Sequence, residues 1–200
     1  MTFFPELKTE RLVLRTFEEN DMEALFALLS DEQVNTFLPW FPLKTPAEAV
    51  QFYHQRFAPQ ALPPQAYCYA ICLKTDRIPV GYVAVKGDDS HDFGYALLTR
   101  YWHQGITSEA ALAVIEQLRR DQIPLISATH DILNPRSGSV MRRIGMTYRY
   151  TYQECVQPKN QLVTFRMYQL DLNGKQNPTY DRYWQVSDVH YIETENNQNL

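Results

Sequence analysis

Long apolar runs are missing from this 200-residue chain. No stretch reaches the roughly eighteen consecutive apolar residues that a membrane-spanning helix needs, so no membrane partner is expected. The opening MTFFPELKTE lacks a basic segment followed by an apolar one and does not read as a secretory leader. Cysteine is scarce: three residues, with Cys68 and Cys72 four apart in YCYAIC and Cys155 far along the chain. An odd count without metal-ligand spacing is neither a disulfide framework nor a zinc pattern. Cys68 and Cys72 therefore read as core residues, no metal is expected, and a reducing cytoplasm fits best. A dominant positive charge is lacking too. The formal net charge is −4, and the pairs Arg119-Arg120 and Arg142-Arg143 are local. A nucleic-acid grip needs a concentrated basic surface, so no nucleic-acid partner is expected; mild acidity is more compatible with a cationic amine. No Gly-Lys-Ser/Thr triplet follows Gly105, which argues against a P-loop kinase.

What is present suits one domain with a real core, since 44% of the residues are apolar and 21% charged. The informative stretch is Tyr101 to Ala111, YWHQGITSEAA, between two regular segments. Phe93 to Leu98 reads as a buried strand, and Ala111, Val114, Ile115 and Leu118 recur at helical spacing from about Ser108 to Arg120. Several N–H groups at a helix N-terminus favour an anion, and Gly105 lets the chain bend and a phosphate approach. Taken alone, Gly105 reads equally as a plain strand-to-helix turn. A second unit follows: Pro124 to His130 reads as a strand, and a helix opens at Asn134-Pro135-Arg136-Ser137. Asn134 suits the N-cap, Pro135 the first helical position and Gly145 the residue past the end. Strand–helix–strand–helix with short connections implies two parallel strands, with both helix N-termini at the carboxyl edge of the sheet.

The remaining pattern completes an α/β reading. Arg11 to Arg15 alternates like an edge or half-buried strand. Thr16 with Glu19 and Thr45 with Glu48 form candidate capping boxes for two helices, the second running to about Phe57. Ala58 to Gln65 is a proline-rich loop, Tyr67 to Leu73 and Pro79 to Lys86 are antiparallel strands, and Gln161 to Leu172 is a late strand. Residues 173–200 fall outside this pattern. Their aromatics Tyr180, Tyr183, Trp184 and Tyr191 are expected to pack on the domain or on a partner subunit.

Three motifs in order resemble the GNAT N-acetyltransferase superfamily. That family's cofactor loop has the form Gln/Arg-x-x-Gly-x-Gly/Ala, written in one branch W-G-K-G-Y-A-T-E-A; Trp102 to Ala110 here is WHQGITSEA. The run NPRSGSVMRRIGM, Asn134 to Met146, is similar to that branch's N-x-x-S-x-x-V-x-x-K-x-G-F: Asn134, Ser137, Val140 and Gly145 match outright. LKTERLVLR, Leu7 to Arg15, resembles the first strand of the same branch, which includes the ribosomal-protein N-terminal acetyltransferases. His103 and Thr107 depart from the usual small residues. The resemblance covers roughly residues 7–172. It implies a GNAT-like α/β fold, a central mixed sheet flanked by helices, with a splayed parallel strand pair at the cofactor site. The expected division is an acetyltransferase domain, 1–172, and an aromatic-rich extension, 173–200.

The resemblance implies transfer of an acetyl group from acetyl-CoA to a primary amine, by a monomer or homodimer. Leu97, Leu98, Gln104, Gly105, Ile106, Thr107, Ser108, Asn134 and Arg143 are then expected at the cofactor. Many relatives carry a tyrosine seven residues after the Asn as acid for the departing thiolate. Here that position is Met141, which has no proton to donate, so Ser137 is the candidate acid, against a plain first-turn serine. Asp92, before the cofactor strand, is the candidate base, against a strand-edge charge; Glu109 reads as a structural acid at the helix N-terminus. His103 and His130 are in ordinary placements. The alternative is a non-catalytic acyl-CoA-binding domain of the same fold.

Overall fold

A computed structural model describes residues 4–58 and 65–194. Its first sheet has five antiparallel strands in sequential order: β1 Leu7–Lys8, β2 Leu12–Arg15, β3 Gln65–Leu73, β4 Pro79–Lys86 and β5 Phe93–Leu97. The second sheet holds β6 Leu125–Asp131, β7 Thr147–Val156, β8 Gln161–Asp171 and β9 His190–Tyr191, in the order β6-β8-β7-β9. The sheets meet in a single parallel bridge, Asp92 to Ser127. Ser127 fastens that junction by donating from both its backbone N–H and its hydroxyl to the Ser90 carbonyl. Beyond it β5 and β6 separate, so the expected parallel pair exists and is splayed to one bridge. The fold is a mixed α/β arrangement.

Helices cover the sheets: α1 Met22–Ser30, α2 Glu32–Asn35, α3 Pro46–Phe52, α4 Ile106–Arg120, α5 Pro135–Arg143 and α6 Arg182–Val186. The α3 start is as expected, with Pro46 at the first turn and the Thr45 hydroxyl accepting from the Glu48 N–H at 3.3 Å. It runs on through a π-turn, Tyr53–Phe57. On α4 the apolar stripe of Ala110, Ala111, Val114, Ile115 and Leu118 is fully buried against the first sheet. Cys68 and Cys72 are both buried, and Cys155 is exposed.

Two expectations are corrected. The Arg11–Arg15 strand is not an edge: Leu12, Val13 and Leu14 are all buried, because β1 folds back over one side and β3 pairs on the other. The first capping box is shifted. The Asp21 carboxylate, not that of Glu19, takes the Glu18 N–H at 2.7 Å, and it also holds the Arg15 guanidinium at 2.7 and 2.9 Å. Two charge-assisted bonds on one carboxylate outweigh a hydroxyl cap at Thr16. The sequence pattern does not announce the ten-residue strand β7, Thr147–Val156, which lies inside the second sheet. Its Tyr150 and Tyr152 face cover that only distant chain supplies, while a bulge turns Tyr148 to the main core. Residues 59–64 of the proline-rich stretch lie outside the described residues.

Candidate active site

A groove of about 1450 Å³ opens where β5 and β6 separate. Asp92, Leu97, Gly105, Ile106, Thr107, Ser108, Asn134, Ser137 and Arg143 all line it. The side chains of Leu98 and Gln104 do not. Leu98 is buried in the core, and the Gln104 amide donates back to the Arg100 carbonyl at 2.9 Å. The chain turns before either reaches the wall, so only their backbone can serve a ligand there.

The loop between β5 and α4 is held open for an anion. Gly105 is the N-cap, with φ +74°, a left-handed conformation that any Cβ would strain. It has no side chain to cap the helix, and no other acceptor in the described chain takes the N–H groups of Ile106, Thr107 and Ser108. These donors, with the helix dipole behind them, suit a phosphate. The loop is pinned from outside. Arg11 donates to the Gln104 carbonyl at 2.9 Å and to the Glu109 carboxylate at 2.7 Å, and Glu109 also takes the Thr9 hydroxyl and the Arg11 N–H. Partial burial pushes the Glu109 carboxyl up, but those bonds outweigh it and leave it below the usual range. Glu109 is thus committed to structure.

The N-terminus of α5 is closed by contrast. The Asn134 side chain accepts from the Ser137 N–H at 3.3 Å, and Pro135 has no N–H. What this turn presents is a hydroxyl. Ser137 Oγ lies 2.8 Å from the Tyr95 hydroxyl, which also donates to the Ser137 carbonyl at 2.9 Å. Burial pushes the Tyr95 phenol well above its ordinary range, keeping its proton on at neutral pH. A tyrosine therefore does stand at this site, from β5 instead of from α5. Its place in FGYAL reads in sequence as a core aromatic; the adjacent Gly94, exposed on the groove, is the faint signal that this strand faces a cavity.

One contact links the units, and a second steadies it from within β5–α4. The Trp102 indole N–H donates to the Leu97 carbonyl at 2.7 Å, and the Arg136 guanidinium sits 5.3 Å from the Trp102 ring centroid. Asp92 is ion-paired with Lys86 at 2.8 Å. Burial lowers the Lys86 ammonium, and Asp92 more than restores it, so the net shift is upward. His103 lines the groove with φ +61° and is exposed. His130 is buried with Nδ1 on the Asp131 carbonyl at 2.8 Å and Nε2 without a partner. Burial holds its pKa below the usual value. The imidazole sits so close under α5 that a Cβ at Gly138 would come within 2.6 Å of Nε2. His130 is a packing residue. Among the described residues no group of three or more His, Cys, Asp or Glu side chains converges to hold a metal, and no helix is long and apolar enough to cross a membrane.

Comparison with known proteins supplies the context. Residues 11–147 match the acetyltransferase (GNAT) domain family. The chain is 25% identical over 159 residues to the uncharacterized N-acetyltransferase YnaD of Bacillus subtilis (strain 168), covering 78% of this chain and 90% of that one. The GNAT-family acetyltransferase of Bacillus anthracis superposes with a TM-score of 0.72 at 26% identity, over 84% of this chain and 98% of that one. The ribosomal L7/L12 alpha-N-protein acetyltransferase RimL, solved with coenzyme A, gives a TM-score of 0.68 at 19% identity, over 86% and 100%.

Proposed function

The chain belongs to the GNAT acetyltransferases, and from that premise we propose that it transfers the acetyl group of acetyl-CoA to a primary amine by direct attack on the thioester. Residues 1–172 form the acetyltransferase domain in this reading and 173–200 an extension of it, and the protein works in the cytoplasm as a monomer or homodimer. The carrying observation is the juxtaposition in one groove of an uncapped helix N-terminus and a hydroxyl pair. The open N–H groups of Ile106, Thr107 and Ser108 fit a pyrophosphate; Arg143 and the stacked Arg136 line the same groove.

Acetyl-CoA supplies the activated acyl group and the thiolate that leaves. The protein's own part is to orient and to move protons. Ser137 Oγ donates to the departing sulfur, and Tyr95, whose own proton lies on the Ser137 carbonyl, holds that hydroxyl in place. Asn134 fixes the turn that carries Ser137. Asp92 receives the proton of the amine. The Asp92 carboxylate is shared with Lys86 at 2.8 Å, and an α-amine with a pKa near 8 needs less help from a base than a lysine-like amine. That pairing also favours the second reading, a domain that binds acyl-CoA without turnover. Transfer of labelled acetyl from acetyl-CoA to a panel of α-amines, polyamines and amino sugars tests the two. Incorporation into an amine is expected; tight CoA binding with no incorporation into any of them would leave only the binding domain.

A further inference from the structure

Chain beyond residue 172 reaches the groove. Tyr183 of α6 stacks on Tyr152 of β7 with ring centroids 5.2 Å apart and planes 7° from parallel. Both rings line the groove, and Phe165 stacks on Tyr152 at 5.5 Å. Asp92 is near the pair: burial pushes both phenols up, and the Asp92 carboxylate pushes them further in the same direction.

The segment that carries Tyr183 is held from several sides. The Tyr180 N–H donates to the Gln169 side chain at 2.9 Å, and the Tyr150 hydroxyl donates to the Tyr180 carbonyl at 2.8 Å. Trp184 meets Tyr150 edge-on at 5.5 Å. Further on, β9 pairs with β7, and the Glu193 carboxylate meets buried Arg166 at 2.8 Å. A wall residue anchored this firmly is preorganised for a ligand.

Charge on the groove wall away from α4 and α5 is balanced. Lys86 neutralises Asp92. Arg56 is exposed with its guanidinium 5.2 Å from the Trp40 centroid, and Lys159 donates to the Asn35 carbonyl at 2.7 Å. Glu154 and Asp131 are the remaining carboxylates there. Three cations against three carboxylates leave no acidic surplus to hold a polycation, while the half-buried Tyr183 ring, stacked over the buried Tyr152, offers apolar area.

We propose that the extension builds an acceptor subsite, with Tyr183 as its specificity-determining wall, for a primary amine carried on an apolar, aromatic-bearing group in preference to a polyamine. The inference rests on the acetyltransferase reading, and the test keeps the two apart.

Phenylalanyl-alanine amide and spermidine serve as competing acceptors. The wild-type protein is expected to favour the amide in kcat/KM by at least about tenfold, the lower bound for a built discrimination. Tyr183→Ala should raise the amide KM roughly three- to tenfold, as expected for one lost aromatic contact, and leave the acetyl-CoA KM unchanged. Tyr183→Phe should behave as wild type, because the ring forms the wall. A wild-type preference for spermidine, or an unchanged amide KM in folded Tyr183→Ala, overturns the subsite. Should Tyr183→Ala unfold, Tyr183→Leu keeps bulk without the flat ring and is read the same way. If no acetyl transfer occurs at all, calorimetry of the amide into CoA-saturated protein decides. Tyr183-dependent binding then retains the subsite and rejects the catalytic reading, whereas no binding rejects the subsite.

Discussion

The two strand–helix units, β5–α4 and β6–α5, share an architecture and use it in opposite ways. Each feeds a strand through a short turn into a helix whose N-terminus lines the same groove. At α4 the cap is a glycine in a left-handed conformation, and three N–H groups are left without an acceptor. At α5 the cap is Asn134, which takes the Ser137 N–H, and Pro135 removes another donor. The first terminus keeps its positive end for a ligand. The second cancels part of it internally and offers a hydroxyl instead. One residue, the N-cap, thus separates an anion cradle from a platform for proton transfer.

Converting the open cap should have the largest effect. Gly105→Glu places a carboxylate at the expected phosphate position, and like-charge juxtaposition costs several kcal/mol, so CoA affinity should fall by at least about a hundredfold. A Cβ at Gly105 meets only the Arg11 guanidinium, at 3.7 Å, so the fold should survive the backbone strain at φ +74°. Calorimetry of a folded variant with wild-type CoA affinity would remove the cradle.

Ser137→Ala addresses the other terminus. It should lower kcat by roughly ten- to ten-thousandfold, the range for one general acid, and leave the acetyl-CoA KM nearly still. Retention of more than half of wild-type kcat would make Ser137 a plain first-turn residue and water the proton source. Tyr95→Phe removes the 2.8 Å partner of that hydroxyl together with the 2.9 Å bond to the Ser137 carbonyl. A lost hydrogen bond of about 0.5–1.5 kcal/mol predicts a two- to twelvefold lower kcat. An effect as large as that of Ser137→Ala would instead place Tyr95 itself at the sulfur.

Acid should loosen the second unit first. The buried His130 imidazole under α5 has its pKa depressed below 6.5, chiefly by burial. The unfolded chain therefore takes up a proton near pH 6.5 that the folded chain refuses. Stability is full above that pH and is lost as pH falls toward the folded value, by at most about 1.4 kcal/mol per pH unit. His91, depressed for the same reason, adds in the same direction. Amide exchange followed from pH 7.5 to 5 should quicken in β6 and α5 before α4; simultaneous loosening would refute the assignment to His130. The smallest effect is expected from Asn134→Ala, which removes the cap of α5 and should cost about 1 kcal/mol, read as a lower melting temperature. An unchanged melting curve would mean that the 3.3 Å contact contributes nothing.

Much of this was legible in the residues. The α4 stripe, the Asn134-Pro135 start of α5, Gly105 and Gly145 at positive φ, and the structural use of Glu109 all follow from spacing, caps and conformational preference. Other parts were hidden. Tyr150 and Tyr152 of β7 become core only under α6, and the bulge that turns Tyr148 to the opposite face has no mark in the tyrosine spacing. Thr16 and Glu19 carry a capping pattern that loses to Asp21, because Arg15 adds a second bond to the same carboxylate. The Lys86–Asp92 pair changes what Asp92 can do, and nothing near Asp92 in sequence announces it.

The sequence by itself determined the local geometry: where helices start, which caps leave donors open, and where only glycine tolerates the backbone. These depend on residues within a turn of one another. Tertiary structure alone decided which side chains share the groove. Tyr95 meets Ser137 across 42 residues, and Tyr183 covers Tyr152 from a helix formed after the last long strand. Such pairings are set by how two sheets joined at one bridge splay apart, which is a property of the packed whole.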